Sequence, residues 1–575
     1  MKFLKKKRIK FLTVLLLLLL IPSLSLIFPL ASCDSPVPVI KSNLNKTLVV
    51  PDNFTSIQEA VDFAEPGDII IVKNKSTPYK ENIHIGKPLT LIGYNFPVIE
   101  NGGYGDTIKI ERVNNVRIAG FLINGAYAGS GIHIRYGSNV TLENNVITNH
   151  EYGIYIYDST KIKLRNNSMI QNKFNFGVWG LSLSHFLHDI DSSNTVDHKR
   201  IYYLINKHDE RIPLDAGYVA VINCSRIKIS NLTLSRNVSG VLLAYTTNSS
   251  IFNVTCTFNR RGIYLILSSY SIIMYNKIIN NSFAGISLVS SDRNCIVGNI
   301  IRSNNIGISL SYSSLVANRS IYNKIFCNNL SENMFGIFLE KSENNEIYGN
   351  YISNNNYGIS VKNSSKNIFC HNSFLKNSQH VIVDDSPNFW NLSYPIGGNY
   401  WDNYFSSDNN ADGIIDSPYL INNNNKDYNP LIGVTFSEIV NVSPKIELIE
   451  LLSNSTISKI TFNMDGYPHI LFVSEGNVSG KYLFRVTLPK SILKNPSDLK
   501  IIVKNNSRRV FTMSNCTMLE DQTNFYIIFL SYFSEGSLYH IEIINEFPDI
   551  FSLSLIFIVL ICSHFYYAIQ KRKFK

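Results

Sequence analysis

The sequence predicts an all-β chain, a parallel β-helix over residues 48–432 followed by a small β-sandwich over 434–547. Three observations carry this. A glycine-centred phrase recurs along the middle of the chain, as "SGIHI", "YGIYI", "FGVWG", "SGVLL", "RGIYL", "AGISL", "IGISL", "FGIFL" and "YGISV". Its glycines, Gly131, Gly153, Gly177, Gly240, Gly262, Gly285, Gly307, Gly336 and Gly358, fall mostly about 22 residues apart, a repeat period. Between them runs "N-x-I-x-x-N-x-I-x-x-N", and alternation of Ile with polar residues reads as short strands. After residue 433 the period disappears and the strands lengthen.

The elements follow in order. The first 33 residues, six basic side chains before "FLTVLLLLLLIPSLSLIFPLASC", read as a secretory signal or an N-terminal anchor. "LASC" resembles a lipobox, which makes Cys33 a lipidation candidate. "TLVVPDNFTSIQEAVDFAEPGDIIIVKN" reads as strand, helix, turn and strand, with a capping box from Thr55 to Gln58 and Ile57, Ala60, Val61 and Ala64 on one helical face. This unit caps the open end of the stack, which would otherwise template aggregation. A repeat of 22 is too short for paired helices and fits one coil of three short strands. Stacked coils place Ile over Ile, while Asn at the turns tolerates left-handed backbone and forms amide ladders. About fourteen coils at roughly 4.8 Å each give a rod of about 65 Å.

The period breaks between Gly177 and Gly240, and residues 184–216 read as an outward loop or flap, a place where function is grafted. His185, His188, Asp189 and Asp191 within it are candidates for a metal site or an acid/base pair. "DNNADGIID" places Asp408, Asn410, Asp412 and Asp416 at positions 1, 3, 5 and 9 of a Ca²⁺-type loop with Gly413 at 6, although Tyr419 stands where the bidentate Glu belongs. Asp384-Asp385 and the "RIK" of Arg226 to Lys228 echo sugar-hydrolase motifs, yet read as a turn pair and outward strand positions. No catalytic residue is assigned. Tyr and Trp side chains along the rod are candidates for stacking on sugars.

Composition bounds the role. The 575 residues are 45% hydrophobic and 17% charged, which excludes a disordered chain. The net charge of +10 lies wholly in Lys2, Lys5, Lys6, Lys7, Arg8 and Lys10 and in Lys571, Arg572, Lys573 and Lys575. The body is neutral, so no nucleic-acid partner is expected. The apolar run at 549–570 is long enough to cross a bilayer, and the basic tail at 571–575 then lies in the cytoplasm. About twenty Asn-x-Ser/Thr triplets agree with an extracellular or periplasmic body. The eight cysteines form no CxxC pair and read mostly as small buried hydrophobes.

The run "VPDNFTSIQEAVDFAEPGDIIIV…YKENIHIGKPLTLIG", the coils, and "GGNYWDNYFSSDNNADGIIDSPYLI…DYNPL" together resemble the NosD-like family of pectin-lyase-type β-helices, also described as carbohydrate-binding and sugar-hydrolysis repeats. The resemblance implies a right-handed helix and an exported, surface-displayed protein. It also raises a copper-assembly role, but the seven Met form no Met-x-x-Met pair and the soft ligands are scattered. The expectation is a membrane-anchored, monomeric rod that binds or scaffolds extracellular polysaccharide or an envelope glycoprotein. The alternatives are a polysaccharide lyase or hydrolase and a NosD-like copper protein.

Overall fold

The computed structural model describes residues 45–545 apart from 126–128, 314–318, 443–444, 464–468, 477, 494–498, 506–507 and 513–514. The predicted leader with Cys33, the span at 549–570 and the tail at 571–575 lie outside the described residues. Among the described residues no helix is long and apolar enough to cross a membrane.

The N-terminal cap is present. Helix α1 (Ile57–Phe63) buries Ile57, Ala60 and Val61 against the first coil. Its cap differs by one residue from the expectation. Ser56 Oγ accepts from Glu59 N at 3.1 Å, and the Glu59 carboxylate reaches back to Thr55 N, because Gln58 is turned toward Asp62 and His84.

Coils then stack as parallel sheets, one of which holds fifteen strands and runs the length of the rod. The glycine period has a steric cause. A Cβ on Gly262 would lie 2.6 Å from Gly285 O and one on Gly285 2.7 Å from Gly307 O, so each coil glycine admits the backbone of the next. The doubled Asn have divided roles. Asn144, Asn166, Asn280 and Asn354 take φ between 53° and 56° at the corners. Their neighbours Asn145, Asn167, Asn281 and Asn355 are buried and form the amide ladders.

The rod is two stacks that share the long sheet. Strands β1 (Ser130–Arg135), β2 (Tyr152–Tyr157) and β3 (Phe174–Trp179) belong to a five-stranded sheet of the first stack. Their register pairs Tyr155 with Gly177, so Gly153 faces Asn175. Gly177 is therefore an outward residue of the last coil and not a member of the glycine column.

The predicted insertion does not stand off as a flap. Ile190 and Val196 continue the first core, Asn194 continues its ladder, and β4 (Thr195–Val196) turns straight back into β5 (Lys199–Ile205), the two pairing antiparallel. Asp197 and His198, with φ of 42° and 67°, make the two-residue hairpin turn. Strand β5 pairs parallel with β6 (Ala216–Ile222), and the stack resumes through β7 (Ser239–Ala244) and β8 (Arg261–Ile266).

Alternate residues of these strands now serve two cores. Tyr218, Leu242 and Tyr264 face the first, whereas Val219, Val241 and Ile263 face the second. Reversing strand direction and moving the core to the other sheet face are two sign changes, so both stacks coil with the same hand. The outer face of β6 to β8 closes the end of the first stack, and an inside corner forms where the stacks step.

At the far end Trp401 stacks between Phe374 and Tyr419, at 4.4 and 4.3 Å, and donates to Asp427. The sandwich follows as two five-stranded antiparallel sheets around Ile449, Phe472, Phe484, Ile527 and Ile541. Its first strand, β9 (Val434–Val442), lies against the coils, with Thr435 N bonding Ser373 Oγ at 3.0 Å.

Candidate functional site

The strongest site is the inside corner. Outward positions on the strand Ile108–Glu111 and on β1 to β3 form two columns: Lys109, His133, Tyr155 and Gly177 in one, Glu111, Arg135, Tyr157 and Trp179 in the other. Strand alternation puts these side chains on the face opposite Ile132, Ile154 and Phe176, which fill the core. Tyr157 stacks on Trp179 at 4.6 Å, and Tyr155 stacks on Tyr152 at 5.1 Å and on His133 at 5.4 Å. Burial pushes the Tyr155 phenol up to about 12, so it stays a neutral donor.

Arg260 and Arg261 approach this aromatic face from the second stack. His133, Tyr155, Tyr157, Trp179, Arg260 and Arg261 line a hollow of about 560 Å³. A neighbouring hollow of about 740 Å³ includes Lys173, Phe174 and Arg236. Tyr152 of the first and Phe174 of the second are 5.4 Å apart, so the hollows meet. Arg261 is 9% exposed, its Nε and Nη1 have no hydrogen-bond partner, and its guanidinium lies over the Tyr264 and Phe283 rings. Burial lowers its pKa.

On the opposite side His133 Nδ1 lies 2.8 Å from Asp106 Oδ2. Burial opposes the charge on Asp106, but the His133 and Ser130 bonds outweigh it and hold the carboxyl below its usual range. With Nδ1 donating to Asp106, His133 Nε2 presents a lone pair with no partner.

The residues expected to hold chemistry are dispersed. His185 pairs with Asp158 at 2.9 Å, and Asp189 and Asp191 both engage Arg165. His188 accepts from Ile162 N beneath the coil, and burial pushes it down to about 3. In the other loop Asp408 accepts from Asp412 N and Gly413 N, Asn410 and Asp412 bond each other, and Asp416 accepts from Asn409. Among the described residues no three His, Cys, Asp or Glu side chains form a group able to hold a metal. Asp384 closes a turn through Ser386 N, and Arg226 pairs with Asp209.

Asp106, His133, Tyr155, Tyr157, Trp179, Arg260 and Arg261 were not singled out from sequence. The outward position of the repeat phrase holds His133 and Tyr155 in the first stack, but Tyr264 and Phe338 share it with Ser287, Ser309 and Ser360 in later coils, so the phrase alone does not single out the site. What the phrase cannot show is that Arg261, more than a hundred residues away, faces His133 and Tyr155.

Residues 184–330 and 311–406 match the family model of the periplasmic copper-binding protein NosD, and residues 67–203 match that of the right handed beta helix region. A cell surface glycoprotein of Methanothermus fervidus is 35% identical over 139 residues, 24% of this chain and 21% of that protein, so the match spans about a fifth of the relative. The mannuronan C-5 epimerase AlgE6 A-module of Azotobacter vinelandii is 15% identical with a TM-score of 0.26, over 58% of this chain and 92% of the module. An alginate lyase from a Paenibacillus is 13% identical at TM-score 0.22, over 53% and 94%.

Proposed function

We propose that this chain, a right-handed β-helix protein of NosD-like type, binds an extracellular glycan in the corner between its two stacks. The observation that carries this is the continuous aromatic face of Tyr152, Tyr155, Tyr157 and Trp179, which lines an open hollow instead of a core. Flat rings beside polar groups are what a sugar needs, apolar C–H faces to stack and hydroxyls to bond. An exported body anchored through the run at 549–570 is the setting proposed for it. The surface glycoprotein relative and the periplasmic family support that location.

The test is retention of the full chain, in detergent, on a panel of polysaccharides and envelope fractions, scored beside the release of new sugar ends. Retention that Trp179→Ala lowers at least tenfold, without new ends, supports a binding protein. Absence of retention on every fraction, or retention indifferent to Trp179→Ala, removes the reading.

A second reading, chemistry on the bound glycan, is favoured by one observation, the unpartnered Nε2 of His133 held by Asp106. New reducing or unsaturated ends that disappear in His133→Gln would establish it. The copper role has no comparable observation. Cys224, Cys256 and Cys370 are buried, Cys256 with a thiol that burial pushes up to about 12, far from a thiolate.

A further inference from the structure

We infer that the ligand of the corner is an acidic sugar whose anionic group is received by Arg261. This rests on the glycan reading above and adds the charge of the ligand. Arg261 is nine-tenths buried, two of its N–H groups have no partner, and no carboxylate lies within ion-pair distance of it among the described residues. A buried, unpaired guanidinium is costly, and buried charges in proteins are otherwise paired. The guanidinium lies over the Tyr264 and Phe283 rings, 4.7 and 4.6 Å from their centroids, and borders the hollow, where an acceptor would meet it.

The surroundings share the sign. Arg260 beside Arg261 and Arg236 in the adjoining hollow both line the corner, in a body whose net charge is close to zero. Asp106 also lines the hollow, but it and the neighbouring acids already have partners. Asp106 is engaged by His133 and Ser130, Glu151 by Lys173, and Glu111 by Lys109 and Arg135. The corner is thus a cationic floor with aromatic walls. An acidic sugar supplies a ring for Tyr155, Tyr157 and Trp179 together with a carboxylate or sulfate oxygen for the guanidinium.

The experiment measures binding of the full chain in detergent to an oligoglucuronate, to its methyl ester and to a sulfated dextran of similar length. The expected result is at least tenfold tighter binding of the acid than of its ester. Arg261→Met erases that preference, weakening the acid at least tenfold more than the ester, while Trp179→Ala weakens both alike. Tighter binding of the sulfated chain than of the acid, lost in Arg261→Met, assigns the anion to a sulfate ester. Equal affinity for acid and ester, or a preference that survives Arg261→Met, overturns the inference and leaves glycan binding intact as long as Trp179→Ala still weakens both. No binding of any of the three, in a protein whose melting curve is that of the wild type, overturns both readings. Arg261 makes no hydrogen bond through Nε or Nη1, so the Met variant keeps the fold, and its melting curve verifies this.

Discussion

His371 on the last coils and Glu450 on the sandwich lie 2.6 Å apart across a buried junction. The other ring nitrogen of His371 is 2.9 Å from Ile396 O, so both nitrogens face acceptors and only the imidazolium satisfies both. Burial would push His371 down and Arg485 opposes its charge, but the Glu450 carboxylate and the two bonds raise its pKa above 6.5. A raised folded pKa contributes stability that is complete below the unfolded value of about 6.5 and is lost as pH rises through the folded value. The expected outcome is a chain whose stability advantage over His371→Gln is largest near pH 6 and shrinks toward pH 9, by urea melts. Removing one partner of a buried pair costs about 3–5 kcal/mol. A difference independent of pH would show that His371 does not change protonation over this range.

Asn350 is the second prediction. Its Oδ1 accepts from Asn328 N and Nδ2, both at 3.0 Å, and its Nδ2 donates to Asn372 Oδ1 and Ile325 O, both at 2.9 Å. Asn350→Ala leaves Asn328 N buried without its acceptor, at about 1–3 kcal/mol, and strips one bond each from Asn328 Nδ2 and Asn372 Oδ1, which keep their others. Asn350→Asp keeps the acceptors, loses the donors and buries a charge, so it recovers nothing. Because coils contact only their neighbours, the damage is local. Hydrogen exchange should accelerate at the amides of 323–372 and stay unchanged in the first stack.

These ladders were legible in the sequence because the repeat prints them: inward Ile, paired Asn and coil glycines all recur at the coil length. Three features were not. Gly177 carries the repeat phrase but sits two places out of register, and only pairing with Tyr155 reveals it. The reversal at Asp197-His198 lacks the Gly that marks such turns, so residues 184–216 read as a loop although Ile190, Val196 and Ile201 keep the core pattern. The corner site follows from that reversal, since the step between stacks brings Arg261 to Tyr155. Local pattern specifies a coil; a fold in the rod is specified by one hairpin.

The loop from Asp408 to Asp416, whose carboxylates do not converge as they stand, carries the proposal that a structural Ca²⁺ gathers them. Asp408 is already organised by Asp412 N and Gly413 N, and Arg485 donates to Asp412 O behind it. An ion there would tie the loop to the junction that holds the sandwich. The expected outcome is a higher melting temperature in Ca²⁺ than in EDTA, abolished by Asp408→Asn. Equal curves would show that the loop is closed by its own amides alone.

Gly177 offers the last prediction, because its missing side chain is what lets the two stacks meet. Val238 N bonds Phe176 O at 3.0 Å and Asn175 N bonds Arg236 O, so the turn before β7 is laid directly on β3. A Cβ on Gly177 would fall inside the Val238 side chain, which is itself 2% exposed and has no room to move away. Gly177→Ala therefore forces the stacks apart at the corner, an overpacking cost of about 1–3 kcal/mol. Gly177→Ala with Val238→Ala removes the collision and should restore part of the loss, where independent sites would add. The same pair separates steric from functional effects at the groove. The single variant should lose both melting temperature and glycan retention, and the double variant should regain both together, since Arg261 then returns to its place over the aromatic face.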